Sequence, residues 1–153
     1  MIDILFKGKT TDTKRWIYGS LVVAIVHQCK HYYITSGRTN INDGNIDFEK
    51  FEVIPETVSQ FTGKYINNTR IFDGDILEWR DDSWGIANAA VTRTVVSWDE
   101  NNCRWILKHD GKDECICTFT EYDKSEWENM NLIGNIYDNP ELLLDYNKQV
   151  TTV

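Results

Sequence analysis

The chain reads as a mainly β protein. Its C-terminal portion is predicted to be an SH3-like bent β-barrel, preceded by an N-terminal β-rich lobe and closed by a short C-terminal helix. Three observations predict this. Runs rich in β-branched and aromatic residues recur at short spacing, as in Val91–Trp98 and Arg104–Lys108, and such side chains suit half-buried pleated strands. Turn-forming clusters separate them, with Asp73-Gly74-Asp75 and Asp99-Glu100-Asn101-Asn102 the tightest. Six Trp, seven Tyr and six Phe in 153 residues supply a core that needs no disulfide staples. Five or so short strands with one polar excursion, Arg80–Ala90, are the pattern of a small barrel. A plain α+β sandwich is the alternative arrangement. The predicted division is an N-terminal lobe over residues 1–55, the barrel portion with its closing helix over 56–144, and a frayed polar tail over 145–153.

In chain order, residues 2–6 read as a short strand and Gly8–Lys14 as a polar hairpin loop. Trp16–Gln28 is apolar and reads as a strand by its β-branched and aromatic content, with Gly19 a bulge or crossing point. His31–Thr35 is its partner, Ser36–Asn45 a loop rich in turn formers, and Ile46–Ile54 a strand that Pro55 ends. The stretch from Glu56 to Trp79 organises the rest. It begins as a polar turn region, loops through Asn67-Asn68-Thr69 and enters a strand at Arg70–Phe72. It then turns at Asp73-Gly74-Asp75, where Gly74 suits a positive φ, and starts a strand at Ile76. Arg80–Ala90 follows as a polar loop carrying Trp84. Val91–Trp98 and Arg104–Lys108 form a hairpin, and His109–Lys112 turns before Glu114–Thr120 returns. Glu121–Asn131 is acidic, with a helical turn around Trp127. Leu132–Tyr137 is a closing strand, and Asn139 caps a short helix with Pro140 in its first turn.

A net charge of −8 and a pI near 4.8 disfavour general attraction to nucleic acid or to an anionic membrane. No apolar run reaches the length of a membrane span. Asp3 stands where a signal peptide carries basic residues, so the chain reads as a cytoplasmic protein.

No reaction chemistry emerges from the motifs. Cys115 and Cys117 flank Ile116 and face one side of a strand, and with Cys103 and His109 they are the only zinc candidates. No Cys-x-x-Cys spacing accompanies them, so free thiols acting as small apolar residues are the better reading, and disulfides are no better supported. Asp73 and Asp75 form a carboxylate pair, yet aspartates bracketing a turn glycine serve the turn more often than catalysis. His27, His31 and His109 have no Ser or Cys in a nucleophile motif to serve, and no Gly-rich phosphate loop is present. The reading is therefore a non-enzyme with no metal and no cofactor. For binding, Trp84 and Trp127 are the two tryptophans placed in polar segments, and barrels of this class present aromatics to peptides or single strands. Burial as core plugs or oligomer contacts is the favoured alternative for both, because Trp is mostly buried. Trp16, Trp79, Trp98 and Trp105 lie on strands and are expected in the core.

The stretch Glu56–Leu77, taken with Leu132–Leu143 (LIGNIYDNPELL), resembles the YopX family of phage and prophage proteins. Phe6-Lys7-Gly8-Lys9 and Trp16–Leu21 are similar to that family's start, so the resemblance spans most of the chain. The closing stretch is its most specific part and Phe72-Asp73-Gly74-Asp75-Ile76 the next. One departure is visible: Asn67-Asn68-Thr69 stands where the family carries a Gly-containing turn, and Asn tolerates the same left-handed backbone. The resemblance implies a phage-encoded, largely β protein and brings no catalytic residues with it. The function expected is a non-enzymatic protein-binding or self-assembling module, a homo-oligomer covering its sheet edges or one docking a host or phage protein. The alternative is a nucleic-acid-binding accessory factor in phage DNA metabolism, with a local basic face near Arg80, Arg93, Arg104 and Lys108. An acidic surface mimicking nucleic acid is a third, weaker option.

Overall fold

The computed structural model describes residues 3–42, 45–81, 90–109, 112–115 and 129–143. Its contacts divide the chain into two compact units, Met1–Gly63 and Lys64–Val153.

The first unit holds β1 (Phe6–Lys9), β2 (Trp16–Val26), β3 (Cys29–Asn42), β4 (Asn45–Glu52), a 3-10 turn at Pro55–Thr57, and the start of β5 (Ser59–Ile66). The strands form an antiparallel meander in which β5 returns beside β1, giving the order β4-β3-β2-β1-β5. The chain leaving β4 runs along the chain leaving β1. Thr10 bridges Val53, the Thr11 amide donates to the Glu52 carbonyl at 3.0 Å, and the Ile54 amide donates to the Lys9 carbonyl at 2.8 Å. The sheet is thus curled around a small core of Ile34 and Val53. Gly8 makes room for it, since a Cβ there would lie 3.2 Å from both side chains. At Gly19, expected as a bulge or crossing point, the strands pass closely: a Cβ would run into the Thr35 carbonyl.

Two segments differ from expectation. The first strand lies at Phe6–Lys9 rather than over residues 2–6, because Gly8 and Lys9 pair with Ile17 and Trp16. Ser36–Asn42, expected within a loop, is strand: β3 runs to Asn42 and β4 starts at Asn45, with a register shift between Ser36 and Asn40. A bulge lets turn-forming residues stay within a ladder that satisfies their backbone groups. β5 is a further strand in a stretch expected to turn. Its Gly63 sits at φ 82.

In the second unit the end of β5 pairs with β6 (Thr69–Phe72) through a two-residue turn, with Asn67 at φ 48 and Asn68 at φ 63. The asparagines do adopt the left-handed backbone that a twisted hairpin turn requires. A second antiparallel sheet follows in the order β10-β9-β8-β7-β11. It is built from β7 (Asp75–Asp81), β8 (Ala90–Asp99), β9 (Arg104–His109), β10 (Lys112–Cys115) and β11 (Asn131–Asn135), and residues 141–143 form one helical turn. Among the described residues no pairing closes either sheet, so the architecture is two open antiparallel sheets rather than a closed barrel. Strand alternation sends Leu77, Val96 and Leu107 to one face of this sheet, where they form the core with Ile66, Ile71 and Met130. Trp79, Trp105 and Leu132 pack against it.

Candidate interaction surface

The Asp73-Gly74-Asp75 turn is a corner into which the end of the described chain locks. The Asp75 side chain, 2% exposed, accepts the Phe72 amide at 2.8 Å through Oδ2. Gly74, at φ 79, donates its amide to the Val96 carbonyl at 2.8 Å and accepts the Ile136 amide at 2.9 Å. β11 then pairs with β7, setting Asn135 opposite Asp75. Asn135 Oδ1 accepts the amides of Tyr137 and Asp138, at 3.0 and 2.9 Å, which turns the chain and ends the strand at Asn135 rather than at Tyr137. Asn139 packs over Gly134, where a Cβ would lie 2.5 Å from its side-chain oxygen. The Asp75 carboxylate accepts a local backbone amide, as a turn aspartate does.

A different surface is presented by β2 and β3 beyond Gly19. The two strands run out as a hairpin arm with a tip at His27 (φ 48) and Gln28 (φ 66), and β4 pairs with β3 from Tyr33 onward. Alternation puts Val22 and Val26 on one face and Val23 and Ile25 on the other, and all four are exposed. Val23 is 47% and Ile25 72% exposed. Register places Tyr32 opposite Val23 and Lys30 opposite Ile25, so these four share one face. The other face is braced near β4. His31 Nδ1 lies 2.8 Å from Glu52 Oε1, the His31 ring stacks on Tyr33 at 6.4 Å, and the Lys50 ammonium sits 5.7 Å over the Tyr33 ring.

Charge marks the same region. Residues 13–42 contain four Lys and Arg and no Asp or Glu. The first unit as a whole carries seven basic and seven acidic residues, whereas the second carries nine basic and seventeen acidic, so the net −8 resides in the second unit. The acid-free run was legible in the sequence and is the signal by which the arm was there to be found.

Trp84 and Trp127 lie outside the described residues. Of the strand tryptophans, Trp79 and Trp105 pack against the core as expected. Trp98 does not: it is 41% exposed and meets Trp105 edge-on, 5.1 Å between centroids, because the β8–β9 hairpin carries it past the core's end. Trp16 lies half-buried on the lysine-bearing face of β1, with the Lys7 and Lys9 ammonium groups 5.0 and 5.4 Å from its ring. Cys29 and Cys103 are exposed at hairpin tips rather than buried; Cys117 and the Cys115 side chain lie outside the described residues. Among the described residues no three His, Cys, Asp or Glu side chains come together as a metal group. The expected basic face is largely engaged. Arg93 bonds Glu78 at 2.9 Å and the Leu142 carbonyl at 2.7 Å, and Arg104 lies 3.4 Å from Asp99, leaving Lys108 exposed; the Arg80 side chain lies outside the described residues.

The fold is that of a mainly β protein of two antiparallel sheets with one helical turn. The family model of the YopX protein matches residues 5–144, and the chain belongs to the YopX family. Both stretches that form the Gly74 corner fall inside that match. No curated protein matches the chain. Among solved structures, protein EF1440 from Enterococcus faecalis is similar in fold. It has a TM-score of 0.54 and 19% identity, and the alignment covers 94% of this chain and 99% of that one.

Proposed function

We propose that this is a phage-encoded, non-enzymatic binding module of the bacterial cytoplasm that docks a protein through the β2–β3 arm. The observation that supports this is the arm's apolar exposure on both faces, Val22 and Val26 on one, Val23 and Ile25 on the other. A hairpin wet on both sides is marginal by itself. Fully burying one such aliphatic side chain gains about 1.5–3 kcal/mol, so a partner covering the arm stabilises it. Exposed apolar clusters of this kind mark protein contacts.

The test is capture from phage-infected host lysate, nuclease-treated, with the wild-type chain and a Val23→Glu/Ile25→Glu variant. A discrete protein retained after nuclease and lost with the variant is the expected result. Recovery of nucleic acid, with proteins lost on digestion, transfers the function to the accessory-factor reading.

A further inference from the structure

We propose that the occupant of the arm is a second copy of this chain, docked head to tail so that the arm of one molecule seats on the acidic second unit of another. This rests on the docking role of the arm and names its partner. Charge complementarity selects the second copy. Between Ser20 and Thr35 the arm carries Lys30 and no acid, whereas the second unit has a surplus of eight acidic residues. Two arms packed on each other would bring the Lys30 ammonium groups together, which like-charge repulsion opposes. An arm on a second unit pairs opposite signs.

The seat is the open end of the β8–β9 hairpin. There Trp98 stands exposed against Trp105, an apolar surface of the kind the arm's valine and isoleucine side chains cover. Glu100 is exposed at the turn beside it. Asp99 is fixed in the same turn, accepting the Asn101 and Asn102 amides at 3.1 and 3.4 Å and the Asn102 side-chain amide at 2.7 Å. Those bonds hold its carboxyl below the ordinary range, the Asn102 side chain first, so the turn keeps its negative charge. The arm face that matches carries Val23, Ile25, Tyr32 and Lys30 together: apolar side chains for the tryptophans, an ammonium for Glu100. Because donor and acceptor patches differ, the contact closes only through a reciprocal pair or a ring.

Sedimentation velocity of the full chain tests this, at about 50 mM and about 500 mM salt, which span strong and weak screening. The wild type is expected to assemble at low salt and to dissociate toward monomer at high salt. Lys30→Glu and Glu100→Lys are each expected to weaken assembly roughly tenfold, and their combination to restore most of it. All sites are exposed, and circular dichroism verifies that each variant is folded. A wild type monomeric throughout, or an assembly unchanged by Lys30→Glu and Ile25→Glu, overturns the proposal. Single variants that weaken assembly without rescue in the double variant overturn the Glu100 seat. A monomeric wild type whose captured lysate protein is still lost in Val23→Glu/Ile25→Glu overturns the second copy alone and leaves the docking arm standing.

Discussion

Asp75 illustrates how one side chain converts a turn into a corner. Its carboxylate accepts the Phe72 amide in a buried place, so Asp75→Ala removes a buried hydrogen bond and is expected to cost about 1–3 kcal/mol in urea unfolding. Thr94 presents the opposite case. Its Oγ1 is buried with no hydrogen-bond partner among the described residues. Thr94→Val keeps the shape and removes the unsatisfied hydroxyl, so the variant is expected to gain about 1 kcal/mol in the same measurement. At Asp99, the folded-state carboxyl titrates below its ordinary value, chiefly through the Asn102 side-chain bond and then the Asn102, Arg104 and Asn101 contacts. A lowered folded value means that the turn's stabilisation is present above the ordinary carboxylate range and is lost as pH falls through the folded value. The Asn101 and Asn102 amide resonances are therefore expected to shift as pH drops below about 4, and Asp99→Asn to abolish that acid-range shift. Asp75's turn role was legible, because an aspartate beside a glycine bonds local backbone whatever the fold. Thr94's orphaned hydroxyl was not, since it depends on which side chains pack across from β8.

Among the elements, the arm is the one whose stability and use diverge. β2 is pinned near its base, where Gly19 passes the Thr35 carbonyl, and is open beyond it. Val23→Glu/Ile25→Glu changes only solvated positions, so its unfolding free energy is expected to stay within about 0.5 kcal/mol per site of the wild type at concentrations where the chain is monomeric. A larger loss would mean that the arm is packed within its own molecule. Strands with clean alternation and a marked turn, β8 and β9 above all, were readable from their residues. β5 and the outer half of β3 were not. Their Ser, Asn and Gly content signals turns, and the ladder with a neighbouring strand overrode that local preference by pairing the backbone.

For the whole molecule, the concentration of negative charge in the second unit, together with an apolar arm bearing Lys30 in the first, makes stability and assembly linked quantities. A partner copy that binds the folded chain alone stabilises it by mass action. The melting temperature is therefore expected to rise with protein concentration at low salt and to lose that dependence at high salt, as read by scanning calorimetry across about two decades of concentration. An independent melting temperature at low salt would count against self-docking. The charge division was present in the residue order, yet it gains meaning only once the acid-free run is seen to be a hairpin with both faces open.

By itself the sequence determined what is local: a β protein, the Asn67-Asn68 and Asp99–Asn102 turns, the positive φ at Gly74, and a likeness to the YopX family carried by the two stretches of the corner. Turn chemistry acts over a few residues, so it survives any packing. The tertiary structure decided what is non-local: β5 beside β1, β11 beside β7 and, among the described residues, sheets left open, Trp98 exposed and the arm uncovered. Strand pairing and burial depend on surfaces brought together from distant parts of the chain, and no residue declares alone what will lie across from it.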